Sequence, residues 1–355
     1  MSRILRFIGN RIGRQNTLNP TENSINFDGL LLAKQALSPV SEEIETLLQK
    51  IPLLIPCETK VAKRMMEQLF SNPGKMIRPA LYYLTCKLVG YDGPHKHTMA
   101  AVSEFVHTAS LLHDDVIDCS TLRRNKPTMN SIWGDESAVL FGDLIYARAS
   151  ELMAQTTNLE IVSSFARSIR LMSESELLQL ESVFDFYLPE DVYMKILFGK
   201  TAVLIGTTCK SAGLLANSTP EQLQSLEEFG LNIGIAFQLV DDALDFLGED
   251  RLLGKKNFGD LQEGKITLPL ILLREHISKE EQQSLDKLYK QGLFSHSEIT
   301  QICQLVEKYK TAEKTLDRAR DLTHKSLTTL RNNFLPSEER SNLEALAMCL
   351  SFRTF

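Results

Sequence analysis

The sequence is poor in the features that staple small folds together. Its 355 residues contain one Trp and six cysteines, and no two of those cysteines (Cys57, Cys86, Cys119, Cys209, Cys303, Cys349) stand at C-x-x-C spacing. That argues against a zinc ribbon or a thioredoxin-type pair, and the cysteines read as reduced interior thiols. There is no Gly/Ser-rich linker and no repeat of solenoid length, which favours one helical unit over two domains. No run approaches the ~20 apolar residues of a membrane helix; the best stretch, Val203 to Ala216, is interrupted by Lys210. A membrane-crossing helix is therefore not expected, and neither is a transporter.

Acidic residues are missing from one region only. Arg3, Arg6, Arg11 and Arg14 precede the first acid, Glu22, although the whole chain carries a net charge of -6. At 100° per residue Ile4, Leu5, Ile8 and Ile12 fall largely opposite those arginines, giving a short basic amphipathic segment. It resembles a mitochondrial transit segment. Residues 1–35 are assigned to this leader and 36–355 to the helical unit, with a mitochondrial destination expected and a cytoplasmic one as the alternative. The remaining body is acidic, so no nucleic-acid partner is expected, because phosphate backbones are met by basic faces. With 43% apolar and 24% charged residues, the composition is that of a chain with a sizeable core.

From about Ser41 onward apolar residues recur at three- and four-residue spacing, with no sustained strict alternation. The reading is nearly all helix. Thr219-Pro220-Glu221-Gln222 has the form of a capping box with Pro at the first helical position, and Leu226, Phe229, Ile233, Phe237, Val240 and Leu244 keep helical phase from there. A second helix is predicted from about Thr98 to Ile117, and a last one after Pro336-Ser337, presenting Leu343, Leu346 and Leu350. Turn residues mark loops at 71–74, 91–94 and 248–264. Gly230 and Gly234, inside a predicted helix, require a packing reason, since Gly costs ~1 kcal/mol there against Ala. Trp133 and Phe141 are expected in the core.

The chemistry is concentrated in Asp114-Asp115-Val116-Ile117-Asp118, at the end of an apolar helix. Positions i and i+4 share a helix face, so Asp114 and Asp118 project together with Asp115 beside them. Alone, such a triplet reads more readily as a solvated charge run. The spacing recurs, however, in Asp241-Asp242-Ala243-Leu244-Asp245, again at the end of an apolar helix. Two such helix ends facing each other in a bundle suit Mg²⁺, a hard cation that bridges carboxylates to phosphate oxygens. The cations a diphosphate needs are also present: Lys75, Arg78, Arg123, Arg124, Lys200, Lys255 and Lys265. His113 is not taken as a ligand, because its i+1 neighbour Asp114 points elsewhere and Mg²⁺ prefers oxygen.

In order along the chain stand G-K-x-x-R-P, H-D-D-x-x-D, R-R, G-K-T, F-Q-x-x-D-D-x-x-D, G-K and E-G-K-x-T-L-P. This ordered set, from about Ser41 to Phe355, resembles the trans-isoprenyl diphosphate synthases of the polyprenyl synthetase family, long-chain type. The resemblance implies an all-α, single-domain helical bundle of the isoprenoid synthase type, with both aspartate motifs on opposite walls of a central cavity, usually in a homodimer. It implies Mg²⁺ as cofactor, bound by Asp114, Asp115, Asp118, Asp241, Asp242 and Asp245. Arg123, Lys200, Gln238 and Lys255, with Lys265 assisting, are expected on the allylic diphosphate. Lys75, Arg78, His107 and Arg124 are expected on isopentenyl diphosphate. Of these, Asp114, Asp115, Asp118, Arg123, Lys200, Asp241 and Asp242 carry the catalytic expectation. Thr201 is left between substrate contact and packing. Met76 stands where the family often has Arg, though Lys75 and Arg78 keep their relative spacing, and Asn125 stands where many members have Gly, which alters loop geometry without removing a charge.

The implied chemistry is ionisation of the allylic C–O bond, attack by the double bond of isopentenyl diphosphate, and loss of a proton. The released diphosphate is the expected proton acceptor, and no side chain is assigned as general base. Along the helix leading away from Asp114, Ser110, Ala109, Val106 and Ser103 are small or aliphatic, which leaves room for a growing chain over two turns, about 11 Å. Val106, Ala109 and Ser110 are the chain-length candidates, and a product beyond geranylgeranyl length, made from farnesyl or geranylgeranyl diphosphate, is expected. A ubiquinone side chain is the expected use and peripheral membrane association the expected route of release. The alternatives are a geranylgeranyl or farnesyl diphosphate synthase, and a subunit active only as a heteromer.

Overall fold

In the computed structural model the described residues are 32, 34–71, 74–123, 126–247 and 258–351. The basic leader lies almost wholly outside them, as do Arg124, Asn125 and Lys255. The described chain is helical apart from one two-residue hairpin, so the all-α expectation holds. The helices are α1 (Ser41–Leu54), α2 (Lys60–Ser71), α3 (Ile77–Leu88), α4 (Lys96–Ile117), α5 (Met129–Trp133), α6 (Asp135–Ala154), α7 (Leu159–Glu181) and α8 (Glu190–Leu197). After a π-helical turn at Phe198–Ala202 come α9 (Val203–Leu215), α10 (Pro220–Leu247), α11 (Gly259–Gln262) and α12 (Leu268–Arg274). The chain closes with α13 (Lys279–Gln291), α14 (His296–Tyr309), α15 (Thr311–Asn333) and α16 (Glu338–Ser351). The hairpin, β1 (Leu122–Arg123) with β2 (Lys126–Pro127), was not expected from the sequence; its antiparallel register sets Arg123 opposite Lys126.

Local chemistry fixes the helix that carries the second aspartate motif. The Thr219 hydroxyl accepts from Gln222 N at 3.3 Å and the Gln222 side chain accepts from Thr219 N at 3.1 Å. Both arms of the capping box are therefore made. Ser278 with Glu281 and Ser295 with Glu298 start α13 and α14 in the same way. α4 begins two residues earlier than expected and ends at Asp118, whose N–H bonds Asp114 O at 2.8 Å. The last helix starts at Glu338 and buries Leu343, Leu346 and Leu350 as the periodicity predicts. Phe141 is buried, whereas Trp133 is half-buried and donates its indole N–H to Gln68 at 2.9 Å.

Two apolar clusters make the core, and α10 runs through both. Leu226, Phe229 and Ile233 belong to the first, with α3, α4, α6 and α9; Ala236, Leu239 and Val240 belong to the second, with α12, α13 and α14. α15 does the same in reverse, placing Leu327 and Leu330 in the first and Leu316 and Ala319 in the second. These two long helices pack side by side and tie the clusters together. On its other side α10 meets α9. A Cβ at Gly230 would fall 2.7 Å from Gly206 Cα and 2.7 Å from Ile205 O, and one at Gly234 would fall 2.6 Å from Ala202 Cα. The glycines are the packing reason sought in the sequence: the two backbones touch.

α8, the π-turn and α9 together form a continuous 26-residue helical stretch, Glu190–Leu215, long and apolar enough to cross a membrane by length and composition. No such helix was expected, since the apolar run was sought only from Val203. Of its most apolar window, 72% is buried inside the molecule, which marks a core helix. None of the described cysteines forms a disulfide; Cys86, Cys209 and Cys303 are buried, whereas Cys119 is exposed and not interior as expected.

Gly230→Ala should lower stability by about 1–3 kcal/mol, because the obstacle to the new methyl is backbone and not a side chain that can rotate away. A urea-unfolding midpoint equal to that of the unaltered chain would refute the close contact of α9 with α10.

Candidate active site

Carboxylates at a helix C-terminus face the negative end of the helix dipole. Both aspartate motifs are so placed: Asp114, Asp115 and Asp118 in and just after the last turn of α4, and Asp241, Asp242 and Asp245 near the end of α10. Their surroundings show how that cost is met. Asp115 is 5% exposed, and its Oδ1 accepts from Arg123 Nε at 2.7 Å across the turn into the hairpin. The β1–β2 hairpin thus returns Arg123 to the helix end that needs a cation. Asp242 is 3% exposed; its Oδ2 accepts from the Tyr193 hydroxyl at 2.6 Å and its Oδ1 from the Gln238 amide at 2.9 Å.

A cavity of about 100 Å³ lies beside the second motif, lined among others by Gln179, Tyr193, Lys200, Gln238, Asp242 and Lys265; of the six aspartates only Asp242 is on its wall. It gathers residues from α7, α8, the π-turn, α10 and the segment before α12. Lys200 sits in the π-turn, the kind of local distortion that often marks a functional site. Gly199 permits it, since a Cβ there would lie 2.5 Å from Leu171 O on α7. Lys200 Nζ is paired with Glu176 at 2.9 Å and bonds the Gln179 side-chain oxygen at 3.3 Å. Its neighbour Thr201 donates to Gln238 Oε1 at 3.2 Å, so the hydroxyl helps to orient that amide. Lys265 pairs with Glu263 and reaches Asp118 at 4.0 Å, joining the second wall to the first motif.

The electrostatics are those of a site short of positive charge. Burial pushes the Asp114 carboxyl up to about 6, with Glu176 and Asp118 adding to the rise and Lys200 and Arg123 opposing it. Burial also raises Asp115 against the pull of Arg123. Asp242 is pushed well up by burial, then by the charge of Asp260, and in smaller part by Asp241, against the hydrogen bonds of Tyr193 and Gln238. Excess buried carboxylate is what a divalent cation relieves. The donor set is all oxygen and fits Mg²⁺. Among the described residues no three His, Cys, Asp or Glu side chains close on one point. Such an open set suits an ion that keeps waters and takes phosphate oxygens as further ligands.

Not every sequence-derived residue meets at this cavity. Lys75 precedes α3 and Arg78 lies in its first turn, with Met76 between them in the left-handed conformation (φ 55°) and its side chain buried. His107 is half-buried on α4, two turns before Asp114. His113 faces α6, its Nε2 lying 3.1 Å from Val139 O and 3.4 Å from Asp143 Oδ1. Val106 and Ala109 are fully buried in the first apolar cluster, and Ser110 is half-buried with its hydroxyl on His107 O. These chain-length candidates are packed within the bundle, where an open channel was expected, and none lines the cavity. Conversely, Glu176, Gln179, Tyr193 and Asp260 belong to the site and were not found from the sequence. Glu176 and Gln179 share a helix face at i, i+3, a spacing that becomes informative only once α7 is known to face Lys200.

A helical bundle with two aspartate-bearing helix ends, and with Lys200 and Lys265 on a cavity beside the second of them, carries the residue types that a metal-bound diphosphate would need. The sequence profile of the polyprenyl synthetase family matches residues 59–306, and the chain belongs to that family and is a prenyltransferase. It is 37% identical over 263 residues to the octaprenyl diphosphate synthase of Escherichia coli (strain K12), covering 74% of this chain and 81% of that protein. Among solved structures, a decaprenyl diphosphate synthase from Rhodobacter capsulatus superposes with a TM-score of 0.85 at 32% identity, over 90% of this chain and 99% of the other. A polyprenyl synthase from Caulobacter crescentus CB15, complexed with calcium and isoprenyl diphosphate, gives 0.83 at 33% identity, over 91% and 98%.

The raised carboxyls carry a pH dependence whose sign is fixed. A carboxyl with a folded value above its unfolded one holds its proton in the folded state, so it costs stability as pH rises from the ordinary carboxylate range, about 4, through its folded value. Metal binding must remove that proton. Mg²⁺ with inorganic diphosphate should raise the melting temperature more at pH 8 than at pH 5.5, and affinity should weaken by up to about tenfold per pH unit below the Asp114 value for each proton displaced. Calorimetry in buffers of different ionisation enthalpy would show proton release; a heat independent of buffer would refute it.

Proposed function

We propose that the chain is a long-chain trans-polyprenyl diphosphate synthase, adding isopentenyl diphosphate successively to an allylic diphosphate such as farnesyl or geranylgeranyl diphosphate. The observation that carries this is Lys265, which lines the cavity beside Asp242 of the second aspartate motif and reaches Asp118 of the first at 4.0 Å. The long-chain product is supported by the octaprenyl and decaprenyl synthases it resembles and by the lack of an aromatic side chain at Ser103, Val106, Ala109 and Ser110.

Each residue's part follows from its chemistry. Lys200 and Lys265 are mobile point charges that can follow phosphate oxygens, while Arg123 offers a planar fork fixed at one edge by Asp115. Thr201 and Asp242 hold the Gln238 side chain between them, which presents it rigidly to the cavity. Asp114, Asp118, Asp241 and Asp245 would hold Mg²⁺, which when bound neutralises the leaving diphosphate and eases ionisation of the allylic C–O bond. Lys75, Arg78, His107 and Arg124 would hold isopentenyl diphosphate, and Lys255 would join the allylic diphosphate set.

The calcium and isoprenyl diphosphate of the Caulobacter structure support a divalent cation at this site. The arginine-bearing segment of residues 1–35 supports a mitochondrial destination, and with it a quinone side chain as the product's use. Ile132, Val139 and Leu140 are exposed on α5 and α6, which supports an oligomer, either a homodimer or a heteromer with a related subunit. Release of so apolar a product supports peripheral membrane association.

The purified chain, given Mg²⁺, an allylic diphosphate and labelled isopentenyl diphosphate, should form a ladder extending beyond geranylgeranyl length. Elongation only on addition of a related subunit would favour the heteromer. Ala109→Phe should shorten the ladder, and so should Ser110→Phe, at a half-buried position with less packing to displace. Ladders unchanged in both folded variants would overturn the assignment of this face to the growing tail.

A further inference from the structure

The second aspartate motif depends on a residue outside every motif read from the sequence. Tyr193, in the middle of α8, is 2% exposed, and its hydroxyl donates to Asp242 Oδ2 at 2.6 Å across to α10. Lys265, Ile266 and Thr267, the segment that leads into α12, line the same cavity as the Tyr193 side chain and Asp242. Three elements therefore meet around this pair: α8, the aspartate-bearing end of α10, and the segment that carries Lys265. The Gln238 amide completes the clamp on Asp242 from the other side at 2.9 Å, and is itself held by Thr201.

A carboxylate with each oxygen engaged by a buried donor is not free to rotate toward a cavity ion as an exposed one is. Its charge is nevertheless felt there, one residue from Asp241 and three from Asp245 on the same helix. We infer that Tyr193 is a positioning residue for the condensation. It fixes the orientation of Asp242 and ties the Lys265-bearing segment to the second aspartate motif, so that metal, diphosphate and lysine meet in one geometry. This rests on the metal-diphosphate reading of the cavity given above. Phe at 193 would keep the ring in place and leave Asp242 Oδ2 without its donor, a buried acceptor being costly to leave unsatisfied.

The test uses the full chain with Tyr193→Phe, Asp242→Asn and the double variant. Tyr193→Phe should lower kcat by roughly tenfold to a hundredfold, the range for a lost hydrogen bond to a charged group. It should raise the Mg²⁺ concentration for half-maximal activity severalfold and leave the KM for isopentenyl diphosphate unchanged. The double variant should be no slower than Asp242→Asn alone, since both act through one bond. A purely structural tyrosine would lower the melting temperature with the wild-type kcat and Mg²⁺ dependence retained, which would overturn the inference, as would losses that multiply in the double variant. Site-specific 3-fluorotyrosine at position 193 keeps the hydroxyl and serves even where the Phe variant fails to fold. Its ¹⁹F resonance should shift on addition of Mg²⁺ with inorganic diphosphate, and an unmoved resonance overturns the coupling. If the unaltered chain forms no product either alone or with a related subunit, the functional reading fails; product formation with an indifferent Tyr193→Phe defeats the role of Tyr193 alone.

Discussion

The constraint on which the rest of the structure depends is the burial of carboxylates at the wrong end of two helices. Each acid in the last turn of α4 or α10 opposes the helix dipole, at ~0.3–1 kcal/mol apiece, and burial adds a larger desolvation cost. A chain selected for stability alone would place cations there. Here the cations are brought from elsewhere in the sequence, Arg123 by the hairpin after α4, Lys200 by the π-turn and Lys265 by the segment before α12. They offset the charge only partly, and Asp114, Asp115 and Asp242 all stay above the ordinary carboxylate range. On the proposed function, that residual imbalance would be the driving force for taking up a divalent cation together with its diphosphate.

Rigid placement of those distant residues falls to the packing beneath them. α9 and α10 approach until Gly206 and Gly230 touch, and the π-turn that aims Lys200 lies at the N-terminal end of α9, against the same face. The shift of one residue in that turn sends Lys200 toward α7 and Thr201 toward α10, although they are neighbours in sequence. Glu176 and Gln179 then hold the Lys200 ammonium group from α7 at 2.9 and 3.3 Å. The site is thus tied together by side-chain bonds at Asp115, Asp242 and both lysines.

Much of this was legible in the sequence, for reasons that differ from part to part. The capping box at Thr219, the phase of α10 and the close-packing glycines are local signals, and local signals survive without tertiary knowledge. The aspartate motifs were legible because the same spacing occurs twice. What was missed depends on long-range pairing. Tyr193 looks like any core tyrosine until α8 is laid across α10, and Asp260 stands alone in a turn-rich stretch until it lines the same cavity as Asp242. The six aspartates, read as equivalent, differ in burial: Asp115 and Asp242 are buried and the other four half-buried, a distinction that spacing along a helix cannot encode.

The chain-length residues show a different limit. A cavity of about 100 Å³, lined by Lys200, Lys265, Gln179, Gln238, Asp242 and Asp260 and by the aliphatic Leu188, Ile196, Leu197 and Ile266, has the size of a head-group site, well below the ~300–1,000 Å³ of pockets that enclose drug-sized ligands. It does not by itself hold a polyprenyl tail, each added unit of which contributes apolar surface that gains by leaving water. The apolar side chains on its wall, Leu188, Tyr193, Leu197 and Ile266, belong to the second cluster, whereas Val106 and Ala109 are buried in the first. On the proposed function these two positions would matter less as an existing opening than as a place where the packing yields at low cost. Aliphatic contacts exchanged for the contacts of an isoprenoid chain would be nearly neutral, whereas an aromatic ring fixed there would have to be expelled from the core. The tail would then be admitted by the core's composition, and the head group alone recognised by geometry.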